Sequence, residues 1–426
     1  MSLNSELRRT GFFRLWAAES TSLIGSQVTL FALPLVAVLT LDAGAWEMGL
    51  LAAAGSLAVL LFGLSAGVWA DQYERRNVMR LANLVRAVTL LLVPVLYWLD
   101  SLSVWVLFAV SFVVGAMTLL FESALSSYVP RLVGRSSLTQ ANSWLQGTEA
   151  VGEVGGPGVA GLLVQVLGAP VTILVDSITY LVSTATLSTL PKAPPKEVAP
   201  EERTGHFRAA LRGVSLVWRN DILRPLALSA AHFNLFTAMF FAVYVLYVVR
   251  VLGFSPLLLG VCTALGGVGG LAASTLVGPI SGRTGLGRML IACYALPGAA
   301  GLLVPAAEGA PTWVAVALVG GSSLFWSFCV VLLLVSGMTI RQALVDDSYL
   351  GRTTATFRFL TWGVEPIGAI AGGALAAGPL GMRATLVLAS AGIALSTTWT
   401  ALSGVRRFHR VPEHDESDRP DAEVSR

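Results

Sequence analysis

Gly67-Val68-Trp69-Ala70-Asp71-Gln72-Tyr73-Glu74-Arg75-Arg76 is a short polar stretch inside a hydrophobic region that runs from about Phe12 to about Leu99. An apolar run longer than about 18 residues reads as a membrane span, so this stretch separates one span from the next. The break is abrupt and carries a carboxylate and two guanidiniums close together. A turn this tight brings two helix ends near each other. Asp71 then faces a helix N-terminus, where a carboxylate is favoured. Arg75 and Arg76 reach carboxylates or lipid phosphates. The plainer reading is an anchor, because Arg and Lys hold loops on the cytoplasmic side.

A second copy changes the balance. Gly278-Pro279-Ile280-Ser281-Gly282-Arg283-Thr284-Gly285-Leu286-Gly287-Arg288 also joins two apolar runs. Gly67 and Gly278 lie 211 apart, and Arg76 and Arg288 lie 212 apart, a difference that one residue inserted in the turn explains. A repeat at half the chain length is the sequence sign of a transporter built from two related halves.

With these residues the chain resembles the major facilitator superfamily, whose signature loop is Gly-x-x-x-Asp-x-x-x-Arg-Arg between spans 2 and 3, with a degraded copy between spans 8 and 9. The flanking sequence is similar to the drug:proton antiporter branch that includes macrolide and siderophore exporters. Phe13-Arg14-Leu15-Trp16 precedes span 1, and Ala32-Leu33-Pro34 lies within it. Leu138-Thr139-Gln140-Ala141-Asn142 opens span 5, and Gly351-Arg352 precedes span 11. The resemblance covers all but the tail after about Arg410 and implies no particular substrate.

Composition agrees with a membrane protein. Hydrophobic residues are 55% and charged residues 12%, against roughly 25% charged in a soluble domain. Met1 to Thr10 is polar, and the first apolar segment is far longer than a signal-peptide core. Cys262, Cys293 and Cys329 all sit inside apolar runs. That placement argues against a disulfide framework or metal site and for small core residues.

The expected fold is an all-α integral membrane protein with twelve transmembrane helices in two pseudo-symmetric six-helix halves. Residues 1–190 form the first half, 191–220 a cytoplasmic linker, 221–405 the second half and 406–426 a disordered cytoplasmic tail. Span 2 is expected over about Glu47 to Ala70, spans 4 and 5 over about Leu102 to Tyr128 and Ala141 to Leu167, and span 8 over about Leu257 to Ile280. In the linker, Phe207, Ala210, Leu211, Val214 and Trp218 share one helical face opposite Arg208, Arg212 and Arg219. That pattern suits a helix lying in the membrane interface or packing on neighbouring loops. Most Arg residues fall on the side of the termini, with Arg250 and Arg383 as exceptions. This places both termini and the linker in the cytoplasm of a multi-pass protein of the cell membrane.

The chain shows no phosphate-binding loop, metal-ligand pair or nucleophile elbow, so neither an enzyme nor an ATP-driven pump is expected. No cofactor and no nucleic-acid partner are implied. The expected partners are a small-molecule substrate, protons and the lipid bilayer, with a monomeric chain.

Ionisable residues inside spans are the functional candidates, because each is costly in hydrocarbon. Glu153 lies about 12 residues into span 5 and Glu365 about 12 into span 11, near the midplane at 1.5 Å per residue. They are 212 apart, the same offset as Arg76 and Arg288, and Gly156 and Gly368, and Gly161 and Gly373, keep it too. The resemblance places spans 5 and 11 at the seam between halves, where a desolvated carboxylate picks up and releases a proton. Packing is the alternative role for both. Glu149, one turn before Glu153, stands in the wet vestibule or relays a proton. Glu19 is a third coupling candidate, with interface snorkelling as its plainer role. Glu122 is expected to pair with Arg75 or Arg76; the resemblance implies that a span 4 carboxylate joins the loop latch. Arg86 and Asp176 come to similar depth and are expected to form a structural buried ion pair. His232 is a titratable candidate or a hydrogen-bonded core residue.

Gly152, Gly156, Pro157 and Gly161 resemble the span 5 motif of exporters; physically they permit close helix packing and a kink. Two departures stand out: span 4 has no Arg, and Gly282 replaces the Asp of the second loop. Phe236, Phe240, Tyr244, Phe325 and Trp326 are expected to wall a cavity for amphipathic organic molecules. The leading expectation is therefore export of such molecules by proton antiport. The alternative is proton-coupled uptake of a small metabolite, with Asn234, Gln27 and Gln146 as ligands. A membrane sensor without transport is a third reading, which the midplane carboxylates disfavour.

Overall fold

The computed structural model describes residues 7, 10–63, 72–191, 215, 217–344 and 356–407. Gly67 and Asp71 of the first polar stretch, nearly all of the linker helix and the tail beyond 407 lie outside the described residues. Among the described residues twelve helices are long and apolar enough to cross a membrane. Spans 1 to 6 are Phe12–Thr40, Ala45–Phe62, Arg75–Trp98, Val104–Gly134, Ser136–Leu167 and Ala169–Ser188. Spans 7 to 12 are Leu223–Arg250, Pro256–Thr284, Leu286–Ala306, Thr312–Gln342, Thr356–Ala377 and Gly381–Ala401. Among the described residues every regular element is helical.

In the first half spans 1, 3 and 6 pack together; in the second, span 10 packs on spans 8 and 9, and span 12 on spans 7 and 9. The halves meet where span 2 lies on spans 7 and 11 and span 5 lies on span 8. The end of the bundle where span 1 begins and span 12 finishes is called here the terminal end, and the opposite one the far end.

Several connections are shorter than the sequence suggests. Spans 4 and 5 are separated only by a break at Gly134, whose φ is 74°. The second polar stretch is mostly helix: span 8 continues past Ile280 to Thr284, then turns at Gly285 with φ 82°. Gly285 N–H donates to Ser281 O at 2.9 Å, and Thr284 Oγ1 to Ile280 O at 2.9 Å, which closes the last turn. A left-handed residue favours glycine because it has no Cβ. Gly278 and Arg283 therefore lie on span 8, and exposed Arg288 on the first turn of span 9.

Candidate functional site

At the far end two helix crossings seal the seam. Gly49 of span 2 meets Gly373 of span 11, and Gly161 of span 5 meets Gly260 of span 8. A methyl group on Gly49 would stand 2.7 Å from Gly373 Cα, and one on Gly260 3.0 Å from Gly161 Cα. Only glycine permits backbones this close. Gly49 and Gly260 are 211 apart and Gly161 and Gly373 are 212 apart, so each crossing is the image of the other in the internal repeat. Arg250 of span 7 adds an ion pair to Asp42, between spans 1 and 2. Arg383 pairs with Glu308 at 3.3 Å, and Tyr247 OH donates to the same carboxylate at 2.9 Å. The two cations that break the charge asymmetry of the sequence are thus each matched by a local anion.

Gly152 and Gly156 turn toward span 1. A Cβ on Gly156 would stand 2.6 Å from that of Gln27, and one on Gly152 2.6 Å from a Leu23 methyl. Buried Pro157 offers its carbonyl to the Gly260 crossing. This glycine-rich run thus lets span 5 approach spans 1 and 8 at once.

Toward the terminal end the seam is polar. Glu122 of span 4 holds Arg358 of span 11 at 2.8 Å, with side chains 50% and 40% exposed. The Arg358 guanidinium also covers the Trp362 ring at 4.3 Å. The expected partners Arg75 and Arg76 are turned elsewhere. Arg76 Nη1 donates to Leu190 O at 2.7 Å and its Nε lies 3.7 Å from Glu74. A cation at the carbonyl end of a helix, here span 6, is favoured electrostatically. Arg75 is buried at the start of span 3.

Glu365 occupies a broken helix. Gly363 and Val364 form a turn inside span 11, and Glu365 opens the segment Glu365–Ala377 with Pro366 behind it. Pro suits that position, and the helix start favours a carboxylate. Among the described residues no hydrogen bond or ion pair holds Glu365. Glu153 is exposed in the unbroken part of span 5, with Glu149 within electrostatic reach. The two carboxylates share a repeat position but not a backbone setting.

Three other expectations change. Arg86 and Asp176 make no direct ion pair. Arg86 donates instead to Asn83 Oδ1, to Thr118 Oγ1 at 3.3 Å and to Tyr180 OH at 3.2 Å, and stacks on Phe121 and Tyr180. Asp176 faces span 1, where its Oδ1 would stand 2.5 Å from a Cβ on Gly25, and it accepts from Thr179 Oγ1 at 3.1 Å. The bare glycine draws the carboxylate to span 1 rather than span 3. Glu19 does not snorkel: its Oε2 is buried without a hydrogen bond, with Arg86, Glu122 and Glu149 within electrostatic reach.

The aromatic wall is the third correction. Phe240 is 2% exposed, Trp326 and Tyr244 8%, and all three belong to a hydrophobic core that runs through both halves. Their rings stack, Phe240 on Tyr244 at 5.8 Å and on Trp326 at 5.3 Å. Phe236 lies against His232 and over Gly392. Of the five, Phe325 is exposed. Large rings pack inward here because Gly301 and Gly392 leave them room. His232 Nδ1 accepts from Trp399 Nε1 at 3.1 Å, tying span 7 to span 12.

Sequence reasoning missed Arg358, Asn83 and Tyr180. Arg358 had a signal, since it is a cation two turns before Glu365 on the same span. Asn83 precedes Arg86 by three, one helical turn, and Tyr180 follows Asp176 by four.

Residues 15–364 match the sequence profile of the Major Facilitator Superfamily. The multidrug efflux pump Tap of Mycolicibacterium fortuitum is 29% identical over 224 residues, 50% of this chain and 53% of that one. Macrolide efflux protein A of Streptococcus pyogenes is 26% identical over 178 residues, 42% of this chain and 44% of that one. Both matches span about half the relative's length. A crystal structure of a bacterial homologue of the iron transporter ferroportin, in an inward-facing state, superposes with a TM-score of 0.74 at 18% identity, covering 93% of this chain and 98% of that one. That likeness concerns the fold. By sequence profile and by twelve-span architecture alike, the chain is a multi-pass membrane transporter that belongs to the Major Facilitator Superfamily.

Proposed function

We propose that the chain exports amphipathic small molecules, of the drug, antibiotic or siderophore kind, from the cytoplasm in exchange for protons. The observation that carries the reading is Glu365: a carboxylate at a helix break within span 11, beside the seam and without an ionic partner. Such a group is costly to keep charged in the membrane, so it suits loading and unloading of a proton. The efflux relatives support the outward direction. In this reading the terminal end faces the cytoplasm of the cell membrane, and the glycine crossings close the outer face. Asp71, Arg75 and Arg76 would latch the inner face once the transporter turns over, and Glu153 would serve as the second carboxylate on the path.

The test is a host stripped of its own exporters, with and without the gene. Expression should raise the inhibitory concentration of macrolides and related amphipaths, and a protonophore should abolish the gain. Greater sensitivity on expression would reverse the direction of transport.

A further inference from the structure

We propose that Asn234 of span 7 is the pin of a hinge in span 11. The break at Gly363 and Val364 lets the terminal segment, 356–363, swing against a fixed far segment, and the Asn234 amide holds the swinging part in place. The proposal concerns the backbone of span 11 and does not depend on the direction of transport.

The far segment, Glu365–Ala377, is fixed by backbone against backbone. A Cβ on Gly368 would meet Leu235 O, and one on Gly372 would stand 2.5 Å from Met239 O, so this segment lies directly on span 7. On its other side a Cβ on Gly373 would stand 2.8 Å from both Ala45 O and Gly49 Cα of span 2. Such contacts between bare backbones offer no side chain that could rotate aside and release them.

The terminal segment is fastened differently. Arg358 reaches Glu122 of span 4 at 2.8 Å, and the Arg341 guanidinium of span 10 covers the Phe357 ring at 4.9 Å. The remaining fastening is at the break itself. In an unbroken helix Thr361 O would accept from the N–H of Glu365, four residues on. The turn at Gly363 and Val364 takes that donor away. A backbone carbonyl left open inside a membrane is costly, and Thr361 is only 9% exposed. Asn234 Nδ2 supplies the missing donor, 3.0 Å from Thr361 O. Gly363 N–H still donates to Phe359 O at 2.9 Å, and Gly368 N–H to Val364 O at 3.1 Å. Both segments therefore stay helical up to the junction, and the freed carbonyl is held from outside the helix.

This assigns Asn234 a positioning role: its amide nitrogen is committed to the protein rather than offered to a ligand. Glu365 heads the fixed segment, whereas Arg358 and Trp362 ride on the swinging one. The mouth at the terminal end opens and closes while the carboxylate keeps its place. Span 5, the repeat counterpart, is continuous helix at the corresponding level, so the hinge belongs to the second half alone.

Thiol labelling of the purified full-length protein reads the hinge without any transported molecule. Thr361→Cys reports on the swinging segment, and Ala369→Cys, at a position 1% exposed, on the fixed one. Buried Cys262, Cys293 and Cys329 set the background. Asn234→Leu keeps the side-chain volume and removes the donor. It should speed labelling at Thr361→Cys by about threefold to tenfold, the worth of one hydrogen bond, and leave Ala369→Cys at the parent rate. Asn234→Gln keeps an amide donor and should return the rate toward the parent. A role in packing alone would not separate Asn234→Leu from Asn234→Gln in this way. Unchanged labelling at Thr361→Cys in Asn234→Leu, or equal acceleration at both positions, overturns the proposal. Should Asn234→Leu fail to purify as folded protein, Asn234→Ala decides by the same criteria.

Discussion

Arg358 Nη2 lies 2.8 Å from Glu122 Oε2, and this contact ties span 11 to span 4 across the seam at the terminal end. The pair from Arg250 to Asp42 ties the halves at the far end. A transporter that exposes its site alternately must break one set of bridges while it keeps the other. Both side chains of the Glu122–Arg358 pair are substantially exposed, so the bridge is worth at most about 1 kcal/mol.

Arg358→Ala or Glu122→Gln should therefore open the terminal end only modestly. Thiol labelling at Gly147→Cys, an open position on span 5, should speed up by no more than roughly fivefold. The charge-reversed double variant Glu122→Arg with Arg358→Glu should return it toward the parent rate. Unchanged labelling in both single variants means the pair does not restrain opening.

The glycine crossings are a stronger restraint. In Gly49→Ala or Gly260→Ala the new methyl meets backbone atoms that cannot rotate away. Overpacking of this kind costs about 1–3 kcal/mol. The far end should open in compensation, and spin labels at Ser101 and Ala310 should move apart. A distance distribution identical to the parent would show that the crossings do not set the conformational balance.

Much of this was legible in the sequence because periodicity and spacing survive translation into structure. The offsets of 211 and 212 residues found the halves and placed Glu153 and Glu365 in corresponding spans. Position along a span gives depth, so Glu19, Arg86 and Asp176 stood out as ionisable groups in hydrocarbon. Spacing does not give the rotation of one helix against its neighbour. For that reason spacing pairs Glu122 with Arg75 or Arg76 rather than Arg358, and Arg86 with Asp176 rather than Asn83 and Tyr180. The rings of Phe240 and Trp326 were read as a cavity wall because nothing in one span reveals that glycines on other spans make room for them.

Asn83 now carries a prediction of its own. Its Oδ1 accepts from Arg86 and its Nδ2 donates to Ser183 at 2.9 Å, all buried. Asn83→Ala leaves a buried guanidinium short of an acceptor, a loss of about 1–3 kcal/mol. The melting temperature of the purified protein should fall measurably, while Asn83→Asp keeps an acceptor for Arg86 and should lose less. An unchanged melting temperature in Asn83→Ala would show that Arg86 finds another acceptor without cost.

Coupling is tested at Glu365. Glu365→Gln imitates the protonated carboxyl and keeps its size, so folding and substrate binding should persist. A carrier fixed in that state still exchanges substrate for substrate, because exchange needs no net proton movement. It should fail to concentrate substrate when a pH gradient is imposed on proteoliposomes. Glu153→Gln should show the same pattern if both repeat-related carboxylates load protons, and a milder loss if exposed Glu153 only supplies the path. The broken helix at Gly363 and Val364 gives Glu365 the greater weight, since it alone of the two stands at a helix start. If both variants still drive macrolide uphill at the parent rate, neither residue is the coupling site, and Glu19 or Glu122 is the next candidate.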